Sequence, residues 1–236
     1  MLTILWDNDG VLVDTEGRYF RATQEVLRTV GVPLTAGQFK EISLRRGEST
    51  FVLAVERGIT DDEIARLRAE RDRRYAELLR SQSWAIDGAE QVLRSLHGQA
   101  RMGVVTSARR VHFEAAHAGT GLLRYLDFVL TREDYQYTKP HPEPYLTAMA
   151  RHDLRPEDCI VVEDSERGLA AATAAGLPCL IVLSDWTRDG DFDGATKVLE
   201  RIQEVPGVAA KWADGQRGSV PAIHEAENGG DFLNST

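Results

Sequence analysis

The chain has 236 residues, of which 42% are hydrophobic and 28% charged, with a formal net charge of −9. That length suits one or two domains with a sizeable core. The acidic balance argues against general affinity for nucleic acid or anionic membrane, and no apolar run nears the length of a membrane span.

The first element is an apolar run, Leu2 to Trp6, ended by Asp7-Asn8-Asp9-Gly10. A short apolar run closed by Asp and Gly reads as a buried strand. It places two carboxylates, Asp7 and Asp9, at the strand's C-terminal end. One can attack while the other moves protons, and either can hold a metal. A strand followed by a merely acidic turn is the competing reading. No basic flank or cleavage site of a signal peptide precedes the run, so the protein is expected to be soluble and cytoplasmic.

From residue 17 to about 83 the pattern is helical. Phe20, Ala22, Val26, Leu27 and Val30 recur at three- and four-residue steps, and Gly31 ends the run. Thr35 is placed to cap a second helix, Arg45 to Ser49 form a polar turn, and Phe51 to Val55 resume a helix. Thr60 with Glu63 is a capping-box start for a long helix. Its arginines at 66, 68, 71, 73 and 74 are interleaved with Glu70, Asp72 and Glu77, which reads as a solvated face.

From Trp84 helices and strands alternate. Helices are expected through Val92–Leu96, through Phe113–Ala116, from Pro142 or Glu143, through the alanine-rich segment after Ser165, and over Ala195–Ile202. Strands are expected at Arg101–Thr106, Asp127–Leu130, Cys159–Val162 and Pro178–Leu183. Cys159 and Cys179 lie in apolar runs and read as buried thiols of a reducing compartment. This alternation predicts an α/β fold, a Rossmann-like doubly wound parallel sheet, with the helical block as an insertion over the sheet edge. Residues 1–16 and 84–205 would form the core, 17–83 an all-helical cap, and 206–236 a loose tail, though Val220–Ile223 or Phe232–Leu233 are candidates to dock.

In such a sheet the strand ends converge on one edge. There the chain offers Asp7 and Asp9, then Thr106 and Ser107, then Lys139, then Glu163 and Asp164. Carboxylates suit a hard cation such as Mg²⁺, hydroxyls and backbone N–H groups suit a phosphoryl group, and lysine adds a point charge. Taken singly, Thr106-Ser107 and Glu163-Asp164 are equally good helix caps, and Lys139 an ordinary surface lysine. The right order after four strands favours the joint functional reading.

Four motifs in this order, D-x-D-G-V-L at Asp7, strand-Thr-Ser at Thr106, K-P-x-P-E-P at Lys139 and V-V-E-D-S at Glu163, resemble the haloacid dehalogenase superfamily, in its subfamily with a small helical cap. The resemblance covers roughly residues 1 to 205. Asn8 departs from it, because an apolar residue is usual between the two aspartates. The resemblance implies that Asp7 becomes an aspartyl phosphate, that Asp9 protonates the leaving oxygen and then activates water, and that Thr106, Ser107 and Lys139 bind the phosphoryl oxygens. It also implies a Mg²⁺ site on Asp7, the backbone carbonyl of Asp9, and Asp164, with Glu163 second or outer. Asp9 argues against dehalogenation. The expected activity is a phosphomonoesterase for a small phosphorylated metabolite, working as a monomer or weak dimer, with a beta-phosphoglucomutase-like mutase as the alternative. Mutases carry His where Tyr19 stands. A non-catalytic binding protein is disfavoured because the reacting groups are all present. Within the cap, Glu16, Tyr19 and Arg46 are the residues assigned to the substrate.

Overall fold

The computed structural model describes residues 1–213 and 215. Six strands form one parallel sheet: β1 (Thr3–Trp6), β2 (Arg101–Val105), β3 (Phe128–Leu130), β4 (Cys159–Glu163), β5 (Cys179–Val182) and β6 (Lys197–Leu199), in the spatial order β3-β2-β1-β4-β5-β6. β1 is central, with Trp6 in register with Val104 on one side and Val162 on the other. Strand order reverses beside β1, so the crevice at its C-terminal end is where such sheets bind ligands. This is the α/β doubly wound arrangement the alternation predicts.

Alternate residues of the strands feed two apolar layers, as a pleated strand requires. Ile4, Trp6, Met102, Val104, Ile160 and Val162 pack on one face with helix α5 (Ala89–Leu96). Leu5, Val105, Cys159 and Val161 pack on the other with α7 (Glu143–His152) and α8 (Glu166–Ala174). Cys159 and Cys179 are buried and free. Helix α6 (Arg110–His117) follows β2. No helix among the described residues is long and apolar enough to cross a membrane.

Between β1 and β2 lie α1 (Glu16–Thr29), α2 (Ala36–Phe39) running into a π-helical turn at Lys40–Arg45, α3 (Val52–Val55) and α4 (Asp61–Leu79), with no strand between them. They have an apolar cluster of their own around Val26, Leu27, Phe39, Phe51, Ile64 and Leu67. Thr35 and Thr60 cap α2 and α4 by accepting from the backbone N–H of Gln38 and Glu63. Both caps sit where the sequence places them.

Two expectations need correction. Ala195–Ile202 is not a helix: Lys197–Leu199 pairs with Leu180–Val182 as an edge strand, and a single 3₁₀ turn follows at Ile202–Glu204. Leu199 and Ile202 are buried, and their three-residue spacing fits a helix equally well. The open edge of β5 decided the matter, because its backbone groups need partners. Nor are residues 206–213 loose. Helix α9 (Val205–Ala213) buries Val205, Ala209 and Trp212 in the core. Val220–Ile223 and Phe232–Leu233 lie outside the described residues.

Gly103 of β2 is paired with Phe128 of β3, and a Cβ there would fall 2.0 Å from the Phe128 ring. Gly103→Ala is therefore expected to displace that ring and cost about 1–3 kcal/mol, read as a lowered melting temperature.

Candidate active site

β1 ends at Trp6, and the chain turns tightly over Asp7 to Val13. The Asn8 carbonyl accepts the N–H groups of Val11, Leu12 and Val13, and the Gly10 N–H donates to the Val13 carbonyl. Gly10 has φ +83°, and a Cβ on it would lie 2.2 Å from Asp164 Oδ2 and 2.6 Å from Glu16 Oε1. Only glycine lets the turn pass this close to those carboxylates.

Asp7 is buried at the strand end, and Lys139 reaches it from the loop before α7. The ammonium donates to Asp7 Oδ1 at 2.6 Å, to Glu163 Oε1 at 2.6 Å and to the Val105 carbonyl at 2.8 Å. All three of its protons are thus used. Burial opposes the charge, but the two carboxylates outweigh it and hold Lys139 above the ordinary lysine value. Burial, followed by the Glu163 charge, pushes Asp7 well above the usual carboxylate range.

Glu163 is fully buried at the end of β4. Its Oε1 also accepts from the Tyr145 hydroxyl at 2.8 Å, and its Oε2 from the Asp164 N–H and the Ser165 hydroxyl, each at 3.2 Å. α8 begins against it: a Cβ on Gly168 would lie 1.9 Å from the Glu163 carboxyl carbon. Asp164 is pushed up to about 7 by burial and the Glu163 charge, against hydrogen bonds from Ser184 and Thr187. One oxygen each of Asp7, Glu163 and Asp164 lies within 4.8 Å of the others. Three buried carboxylates in that space suit a hard divalent cation. The saturation of Glu163 by four donors leaves Asp7 and Asp164 as the side chains to hold it.

Asp9 stands outside that trio. Its Oδ1 accepts the Thr15 hydroxyl in a short bond, and its Oδ2 accepts from Asn8 Nδ2 at 3.3 Å and from Thr106 Oγ1 at 3.4 Å. Thr106 Oγ1 in turn accepts the Ala108 N–H at 3.0 Å. Asn8, the departure from the usual motif, is completely buried and accepts through Oδ1 from His117 Nε2 at 2.7 Å. Burial pushes His117 down to about 4, so it is neutral at pH 7 with the proton on Nε2. His117 Nδ1 lies 3.1 Å from the Thr120 hydroxyl.

These groups open onto a cavity of about 460 Å³. The core contributes Asp7, Asp9, Thr106, Ser107, Lys139 and Asp164, and the helical block contributes Glu16, Tyr19, Phe39, Glu48, Arg71 and Tyr75. Glu16 is raised well above its usual value by burial and by Asp164 and Asp9. Of the sequence-selected site residues, Glu163 and Arg46 are not among those lining the cavity: Glu163 is buried behind it, and Arg46 lies outside it. Arg46 is exposed and paired with Glu41 at 3.7 Å and Glu48 at 3.4 Å, while its neighbours Gly47 to Ser49 face the space.

Arg71 is the converse. It was expected on a solvated face, but its side chain is only 12% exposed, its Nη1 donates to the Tyr19 hydroxyl at 2.5 Å, and it lines the cavity. The signal was present: position 71 falls on the apolar stripe Ile64, Leu67, Tyr75, Leu79 of α4. Arg66 and Arg73 do lie on the solvated face, paired with Glu63 and with Glu70 and Glu77. Thr15 and Arg167 also escaped the sequence reading. Arg167 donates to the Lys139 carbonyl, with Nε buried and unpartnered.

The model of the haloacid dehalogenase-like hydrolase family matches residues 4–182. The chain belongs to that family. It is 32% identical over 180 residues to validoxylamine A 7'-phosphate phosphatase of Streptomyces hygroscopicus subsp. limoneus, covering 75% of this chain and 83% of that protein. It is 28% identical over 187 residues to the fructose-1-phosphate phosphatase YqaB of Escherichia coli, covering 76% and 95%. Among solved structures it superimposes on CbbY from Rhodobacter sphaeroides in complex with phosphate, with a TM-score of 0.74 and 25% identity, covering 87% and 96%. A Clostridium difficile beta-phosphoglucomutase shares the fold, with a TM-score of 0.75 at 19% identity over 92% and 99%. Family and relatives together make this chain an enzyme of the phosphatase class.

Because His117 is held neutral in the folded chain, the unfolded chain binds its proton first. The stability that His117 contributes is complete above about pH 6.5 and is lost as pH falls through about 4. His117→Gln is expected to flatten the acid side of a stability-versus-pH curve over that window, as followed by chemical denaturation.

Proposed function

We propose that this enzyme is a Mg²⁺-dependent phosphomonoesterase for a small phosphorylated sugar or polyol, and that it works through an aspartyl phosphate on Asp7. The observation that carries this is the buried Asp7 carboxylate, anchored through Oδ1 by an ammonium and facing a cavity that Asp9 also lines. The relatives named for validoxylamine A 7'-phosphate and fructose 1-phosphate support the substrate class.

Asp7 attacks phosphorus while the Thr106-Ser107 loop holds the transferring oxygens and Lys139, its protons engaged by Asp7, Glu163 and Val105, offers them its positive charge. Asp9, steadied by Thr15, Asn8 and Thr106, gives its proton to the leaving oxygen and then takes one from the water that cleaves the acyl phosphate. Asp7 and Asp164, with the Asp9 backbone carbonyl, would hold Mg²⁺, with Glu163 behind them aligning Lys139. When bound, the cation neutralises charge on the phosphoryl oxygens. We read α1 to α4 as a cap that excludes water, with Arg71, Tyr19 and Glu16 reading the alcohol part of the substrate. Every group named comes from one chain, so the reading requires no partner subunit. Two buried free thiols fit a reducing, cytoplasmic setting. The mutase alternative is weakened by Tyr19, whose phenol is occupied by Arg71 where mutases carry His.

A panel of sugar and polyol monophosphates with Mg²⁺ should release phosphate, and Asp7→Asn or chelation should abolish release. Isomerisation between 1- and 6-phosphates outpacing release would turn the assignment to a mutase. Asp9→Asn should lower kcat by about 10²–10⁴-fold while Mg²⁺ titration of the metal-free protein stays near wild type. Arg71→Ala should raise KM for sugar phosphates far more than for p-nitrophenyl phosphate, measured side by side.

A further inference from the structure

The loop that leaves β5 touches both halves of the site. Thr187 Oγ1 donates to Asp164 Oδ2 at 3.0 Å, and Ser184 Oγ lies 2.8 Å from the same Thr187 oxygen. The preceding residue, Trp186, leaves the core altogether. Its ring packs against Phe20 of α1 and Phe39 of α2, with centroids 5.5 and 5.4 Å apart, as part of the helical block's apolar cluster. Two residues on, Asp189 takes Lys40 at 3.1 Å and Arg45 at 3.3 Å from the same block. Thr187 is therefore bracketed by residues fastened to α2 and the turn that follows it. It has little freedom to move unless those elements move.

We propose that Thr187 is a positioning residue for Asp164, and that Trp186 makes its aim depend on how the helical block is seated. The block and the cation site are then one mechanical unit. Seating the block aligns Asp164, and withdrawing Trp186 lets the Thr187 hydroxyl, and with it the carboxylate, turn away. This rests on the metal assignment made above. Hydrogen bonds to a ligating carboxylate fix its orientation, and their loss weakens metal binding by about 10–100-fold. What this chain adds is that the donor is fastened to a different part of the molecule from the ligand.

The test is calorimetric titration of Mg²⁺ into the metal-free full chain, without substrate. Thr187→Val is expected to weaken binding by about tenfold, whereas Thr187→Ser, which keeps the hydroxyl, stays near wild type. Trp186→Ala, which touches neither Asp164 nor the cation, should also weaken it, and Trp186→Phe should do so less. The second readout does not need the alanine variant to fold. Trp186 emission, taken as wild type minus Trp186→Phe, should change when Mg²⁺ is added, and Thr187→Val should lose that change even at saturating metal. Wild-type affinity in Thr187→Val, or Trp186 emission indifferent to Mg²⁺, would overturn the inference and leave the phosphatase reading intact. Absence of any Mg²⁺ binding by the wild type would instead overturn the metal assignment, and the inference with it.

Discussion

The Lys139 ammonium is the charge on which the site depends. Asp7, Glu163 and Asp164 crowd their oxygens within 4.8 Å of one another, all buried. Two unit charges 4 Å apart repel by about 4 kcal/mol at an effective dielectric near 20, and a third worsens it. Lys139 bridges two of them and spends its last proton on a strand carbonyl. One positive charge among three acids still leaves a deficit, visible in the upward displacement of Asp7 and Asp164. Three buried carboxylates this close suit a divalent cation, which is the reading proposed for Asp7 and Asp164.

What makes this crowding tolerable is the sheet. β1 and β4 are neighbours in register, so Asp7 and Glu163 each follow the paired residues Trp6 and Val162. No loop flexibility has to be overcome to bring them together. The apolar layers on both faces hold the two strands fixed. Two glycines complete the approach, Gly10 beneath Asp164 and Gly168 beneath Glu163, each where a methyl group would overlap a carboxylate.

The sheet, its parallel sense and the clustering of Asp7, Lys139, Glu163 and Asp164 were legible in the sequence, because strand periodicity and turn residues are local signals and crossover handedness does the rest. The misreadings share a cause: each residue was assigned by its own chemistry where packing decided. Arg71 looked like one of five solvated arginines, yet its helical phase placed it inside. Lys197–Leu199 read as helix because the demand came from the unpaired edge of β5, which no local window contains. Trp186 was invisible for the same reason, since nothing in its neighbourhood announces that it docks in a cluster formed more than a hundred residues earlier.

Asn8 and His117 form a lock whose two halves come from the turn after β1 and the last residue of α6. With the amide removed, the imidazole N–H has no acceptor in a dry interior; with the imidazole removed, the amide oxygen is stranded. Either loss costs about 1–3 kcal/mol, whereas an apolar pair of matching shape would be nearly neutral. A lineage moving from this arrangement to a greasy one must therefore cross a less stable intermediate or exchange both residues at once, so the two positions, 109 apart in the chain, are tied to a shared evolutionary fate.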